Sequence, residues 1–136
     1  MLHRIKELLE NKENFAFETT LSTKSYKNTV VKAKENHYTV VLLFFWLRNV
    51  ELAIDRVKTR VMEGGHNIET EVIKRRYKNG INNLFDIYIP IVDEVMIFDN
   101  SEGKHELIAT KTFETELYIQ NQSKFDTLKN SCNETP

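Results

Sequence analysis

The chain is poor in the residues that staple or punctuate a fold. It has one cysteine, Cys132, in 136 residues. That excludes an internal disulfide framework and a cysteine-based zinc site, and it is the usage of a reducing compartment, so a cytoplasmic location is expected. Its glycines are only Gly64, Gly65, Gly80 and Gly103. A phosphate-cradling Gly-x-x-x-x-Gly-Lys-Ser/Thr loop has no place among them. The sole Gly-Lys pair is Gly103-Lys104, His105 follows it, and Phe98 stands where the first glycine belongs. A Gly-x-Ser-x-Gly elbow is likewise missing, which removes support for a hydrolase of that kind. None of the four histidines has another histidine three or four residues away, so no metal site is expected. The longest apolar run, residues 40–47, is far below the roughly 18 residues of a membrane helix. No apolar stretch follows the N-terminal charges, so no secretory signal is visible. With 19 basic and 20 acidic side chains the net charge is -1. Neither a basic nucleic-acid coat nor a polyanion mimic fits that balance.

What is there is enough for a packed core: 40% hydrophobic and 29% charged residues in the length of one domain, or of part of a larger one. The charge is uneven. Residues 48–78 hold eight basic side chains against five acidic ones, whereas residues 79–100 hold no Lys or Arg and four acids. A local basic element in a neutral protein suits a small anionic ligand, or is simply a solvated helix face.

Periodicity predicts helices over 2–11 (Leu2, Ile5, Leu8, Leu9), 23–36 behind Ser22, and 50–63 behind Asn49, ended by Gly64-Gly65. A further helix from Glu69 carries the stripe Ile73, Tyr77, Ile81, Leu84, Tyr88 and closes at Pro90. Strands are expected at 15–20, 38–46 and 95–99, with a short edge strand at 106–110. From 112 the chain reads as a polar tail, partly disordered. Alternating strands and helices predict an α/β domain with a mainly parallel sheet, whose ligands bind beyond the strands' carboxyl ends. The polar groups at those ends are Glu18-Thr19-Thr20, Leu47-Arg48-Asn49 and Asp99-Asn100-Ser101.

Two constellations carry chemistry. Arg56 and Arg60 share a helix face, Gly64-Gly65-His66 follow, and Arg75 and Arg76 lie on the next helix. Two arginine-bearing helices joined by a glycine hinge suit closure over phosphate, because the guanidinium fork binds phosphate bidentately. The alternative is a helical hairpin with surface arginines, a glycine cap and a capping His66. Glu18, at the end of an expected strand, suits a substrate hydroxyl or a water-held Mg2+, or else caps backbone amides. Thr19 and Thr20 either bond phosphate or start the turn.

These residues in this order resemble a known family. Phe15-Ala16-Phe17-Glu18-Thr19-Thr20-Leu21-Ser22 is similar to a strand of the zeta-toxin-like P-loop kinases. The match continues through Trp46-Leu47, Glu51-Leu52-Ala53-Ile54, Arg56-Val57, Arg60-Val61, Gly64-Gly65-His66-Asn67-Ile68 and Val72-Ile73-Lys74-Arg75-Arg76-Tyr77, then Asn82-Asn83-Leu84, Tyr88, Pro90, Asp93 and Asp99-Asn100-Ser101. It spans roughly residues 2–109. The resemblance implies a three-layer P-loop-kinase fold around a parallel sheet, with ATP as phosphoryl donor, Mg2+, and a small-molecule hydroxyl such as that of a UDP-activated amino sugar as acceptor. It implies an acceptor site at Glu18, Thr19 and Thr20. Arg60, Arg75 and Arg76 would be phosphate-gripping catalytic residues, with a lid hinge at Gly64, Gly65 and His66. Arg56, Asp99 and Asn100 would lie near the nucleotide. The family's first strand, its P-loop and a base-bearing segment are not in this sequence, so the expected domain is the C-terminal portion, residues 1–111, inactive alone. The alternative is a non-catalytic remnant or a protein-interaction module, with an antitoxin or a second copy as partner. A nucleic-acid module has only the basic middle segment behind it.

Overall fold

The computed structural model describes residues 2–113 and 115–131. In chain order it contains α1 (Leu2–Glu10), α2 (Tyr26–Glu35), β1 (Val41–Trp46), α3 (Val50–Met62), α4 (Thr70–Asn83), a π-turn (Leu84–Tyr88) and α5 (Ile89–Ile91). Then follow β2 (Glu94–Asp99), β3 (Glu106–Lys111), β4 (Tyr118–Ile119) and α6 (Gln122–Ser131). The architecture is α/β, with one sheet in the order β1-β2-β3-β4.

The sheet is mixed, which corrects the mainly parallel expectation. β1 and β2 run parallel, with Val41 beside Glu94 and Trp46 beside Asp99, while β2–β3 and β3–β4 are antiparallel. The connection lengths explain this. The crossover from β1 to β2 contains α3 and α4, whereas residues 100–105 between β2 and β3 are too few for anything but a reversal. β3 is accordingly no edge strand. It lies between β2 and β4, with Ile108 and Ala109 fully buried.

Residues 15–20 form no strand. A strand needs a neighbour to share a ladder, and this segment instead packs its rings sideways. Phe15 meets Tyr38 edge-on at 6.1 Å and Phe17 meets Tyr26 at 5.0 Å, beside the small Ile5, Leu9, Ala33 cluster. The outer edge of β1 is unpaired among the described residues.

The main core joins Trp46 of β1, Val95 and Ile97 of β2 and Ile108 of β3 to Ile81, Leu84 and Tyr88. The opposite sheet face leaves Val41, Leu43, Phe45 and Met96 partly exposed. Among the described residues that part of the opposite face carries no helix that buries it, so the second helical layer of the three-layer expectation is not seen there. The expected polar tail is also corrected: residues 122–131 form α6, whose Phe125 and Leu128 enter the core. Both sit on one face of a short helix at i, i+3, too sparse a pattern to announce itself. The last residues, Cys132 included, lie outside the described residues.

Candidate functional site

The segment 18–22 is a loop held at several points. Leu21 takes a left-handed φ of +58°, which a bulky side chain seldom adopts. Its side chain is nonetheless buried in the core. The Leu21 carbonyl accepts a 2.7 Å bond from Asn83 Nδ2, and the Thr23 carbonyl accepts one of 2.8 Å from the Tyr88 hydroxyl. Thr19 Oγ1 accepts the Leu21 amide and Thr20 Oγ1 the Ser22 amide, both at 3.3 Å. Gly80 of α4 touches the same loop: a Cβ there would lie 2.7 Å from the Thr20 carbonyl oxygen. Glu18, Thr19 and Thr20 are exposed on top of this anchored turn. They lie within a loop rather than at the end of a strand.

At the carboxyl ends of β1 and β2 a second polar group forms. The Asn100 amide bonds the Trp46 carbonyl at 2.8 Å, and the Arg56 guanidinium bonds the Asn100 carbonyl. Asp99 is 3% exposed and ion-paired to Lys124 of α6 at 2.8 Å, with Arg48 3.9 Å away. Burial pushes the Asp99 carboxyl up, but hydrogen bonds from Lys124 and Ser101 outweigh it and hold the group below the usual carboxylate range. Lys124 also reaches Glu106 at 3.1 Å, and both anions push its ammonium up. Asp99 is thus occupied in fastening α6 to the sheet. Asn100 offers its backbone to Arg56.

The arginine hairpin is present as α3 and α4. Asn49 caps α3 by accepting the Leu52 amide at 3.0 Å. Its far end is a Schellman cap: Gly64 has φ +95°, Gly64 N–H bonds the Val61 carbonyl and Gly65 N–H the Arg60 carbonyl. A Cβ on Gly65 would meet that carbonyl at 2.8 Å, so both glycines are needed by the cap itself. Arg60, Arg75, Arg76 and His66 are exposed. Among the described residues the three arginines make no side-chain hydrogen bond or ion pair, so their forks are open to an anion.

α4 connects the two groups. Its Tyr77 hydroxyl bonds the Leu47 carbonyl at 2.6 Å, just past β1, while Gly80 and Asn83 hold the 18–22 loop. Arg76, Gly80 and Asn83 follow i, i+4, i+7 and so share one face of that helix. Arg76 rather than Arg75 is on the loop's side.

Sequence reading missed Asn83, Tyr88 and Lys124 as working residues. One signal was available: Gly80, Asn82 and Asn83 are weak helix formers crowded into a helix interior. Lys124 had none, being one lysine among many on a polar segment. No cluster of three His, Cys, Asp or Glu that could hold a metal occurs among the described residues. No described helix is long and apolar enough to cross a membrane.

These features define an α/β protein with a parallel crossover unit, one of whose polar groups lies at the carboxyl ends of β1 and β2, where such sheets take ligands. Residues 3–130 match the family described as Zeta toxin, nearly the whole chain, and the chain belongs to that family. It is also 40% identical over 63 residues to an uncharacterized protein of Haemophilus influenzae, covering 46% of this chain and 45% of that protein. The similarity thus spans less than half of that relative's length. No solved structure matches.

Proposed function

We propose that this chain is the acceptor-and-lid portion of a zeta-toxin-like kinase. Such an enzyme moves a phosphoryl group from ATP to a hydroxyl of a small molecule, such as a UDP-activated amino sugar. The observation that carries the reading is that one helix, α4, presents the unpaired Arg76 and anchors the loop bearing Glu18, Thr19 and Thr20. Phosphoryl transfer asks for just such an alignment of acceptor and positive charge. In this reading Glu18 accepts the substrate hydroxyl and Thr19 and Thr20 shape its pocket. Arg60 and Arg76 grip phosphate oxygens, Arg75 adds a weaker positive charge from the neighbouring helix position, and Arg56 and Asn100 border the nucleotide. The Gly64-Gly65-His66 segment turns the lid. The arginine forks fit phosphate well. A Mg2+ ion would lean on phosphate oxygens, since no carboxylate cluster among the described residues offers to hold it. These 136 residues contain no glycine-rich Lys loop, so the chain alone is expected to leave ATP unhydrolysed.

The test is a fusion of this chain behind the P-loop segment of a family member. ATP turnover is expected, falling about 10²-fold in Arg76→Ala and in Arg60→Ala, the scale of losing one charge-stabilising donor. Full activity in both variants refutes the residue assignment.

A second reading, an interaction module, is favoured by the β1 edge, unpaired among the described residues, and by Val41, Leu43 and Phe45, about half exposed on the adjoining sheet face. It would take an antitoxin or a second copy as partner. Concentration-dependent sedimentation of the chain alone supports it; a monomer that binds ATP saturably opposes it.

A further inference from the structure

We infer that Asn83, with Gly80 and Tyr88, is a positioning residue that fixes the 18–22 loop relative to Arg76, so that acceptor and phosphate-gripping groups move as one body. The inference rests on the reading of that loop as the acceptor site. Its ground is the way the loop is held. A left-handed, buried Leu21 persists only where its surroundings over-determine it, and such residues gather at functional sites. Here the determinants come from a single helical stretch far away in sequence. Asn83 is 5% exposed and gives its amide to the Leu21 carbonyl. Tyr88 gives its hydroxyl to Thr23. In a regular α-helix residues five apart point to different sides. The π-turn between them, in which Ile89 N–H bonds the Leu84 carbonyl, brings both donors to the same loop. Pro90 stands just beyond that turn, where an ordinary α-turn would press its ring against the carbonyl four residues back. Gly80 lets the loop backbone approach the helix more closely than any side chain allows. Arg76 lies one turn earlier on the same face.

A purely structural anchor would loosen when cut without changing what the loop binds. The experiment therefore reads both. Amide exchange at residues 19–23 and calorimetric binding of UDP-N-acetylglucosamine are measured on the full chain and on Asn83→Leu and Tyr88→Phe. In Asn83→Leu, exchange at Leu21 and Ser22 is expected to rise about 10-fold and probe affinity to fall about 10-fold, the scale of one buried hydrogen bond. Exchange at Val95 and Ile97 in the core should change less than about 2-fold. Should Asn83→Leu fail to fold, Tyr88→Phe removes a single hydroxyl and is expected to shift both readouts about 3-fold in the same directions. Probe binding that is unchanged while the loop exchanges faster overturns the positioning role. An unprotected loop in the unaltered chain also overturns it. A chain that protects the loop but never binds the probe refutes instead the acceptor reading on which the role depends.

Discussion

Replacing Gly80 with alanine is the most demanding check of how α4 and the 18–22 loop fit. In an ordinary helix interior the change stabilises by about 1 kcal/mol, because alanine restricts the unfolded chain and suits the helix. Here the added Cβ would sit 2.7 Å from the Thr20 carbonyl oxygen, against an ordinary contact of 3.4 Å or more. The neighbour is backbone, so it cannot swing aside, and helix and loop have to separate by about 0.7 Å, the difference between those two distances. That displacement falls on the 2.7 Å bond from Asn83 to Leu21. A buried amide left without its partner costs about 1–3 kcal/mol, and overpacking of this kind costs a similar amount. The two losses exceed the propensity gain, and the net expectation is destabilisation by about 2 kcal/mol. Urea unfolding followed by Trp46 fluorescence measures it, with the midpoint falling and the slope unchanged. A Gly80→Ala protein as stable as the parent, or more so, would refute the close approach and the anchoring built on it.

Gly64→Ala puts a side chain into the left-handed position of the α3 cap and should cost about 1 kcal/mol, read as a lower melting temperature. Asn49→Ala removes the α3 N-cap and should cost about 1 kcal/mol in the same assay. The Asp99 carboxyl is held below its ordinary value by Lys124 and Ser101. A depressed folded value means that its contribution is complete above the unfolded value of about 3.9 and is lost as pH falls through the folded one. Urea midpoints measured from pH 6 downward should show this acid loss in the parent and a flatter curve in Asp99→Asn; parallel curves would contradict the pairing. In the P-loop fusion, Arg76→Ala should lower ATP turnover about 10²-fold and Arg75→Ala by under about 10-fold; equal losses would remove the distinction drawn from helical phase.

What the sequence determined by itself was local. α3 could be read end to end, because a capping Asn49 and a Gly64-Gly65 stop act within a few residues of themselves. The stripe from Ile73 to Tyr88 announced a helix facing the core, and the apolar runs announced β1 and β2, because burial imposes its period on the chain that is buried. The order of motifs also pointed to the family. Tertiary structure alone decided which extended segments found partners. Residues 15–20 have the composition of a strand yet join no sheet among the described residues, and 106–110 read as an edge strand yet lie inside the sheet. Neither outcome is encoded in the segment's own side chains, since a ladder is shared with a neighbour chosen by topology. The site followed the same rule. Asn83 meets Leu21 across 62 positions, and Lys124 reaches the buried Asp99 from a helix that reads as a polar tail. No period or cap links such pairs. They exist because packing of α4 and α6 against the sheet left one buried carbonyl needing a donor and one buried carboxylate needing a cation.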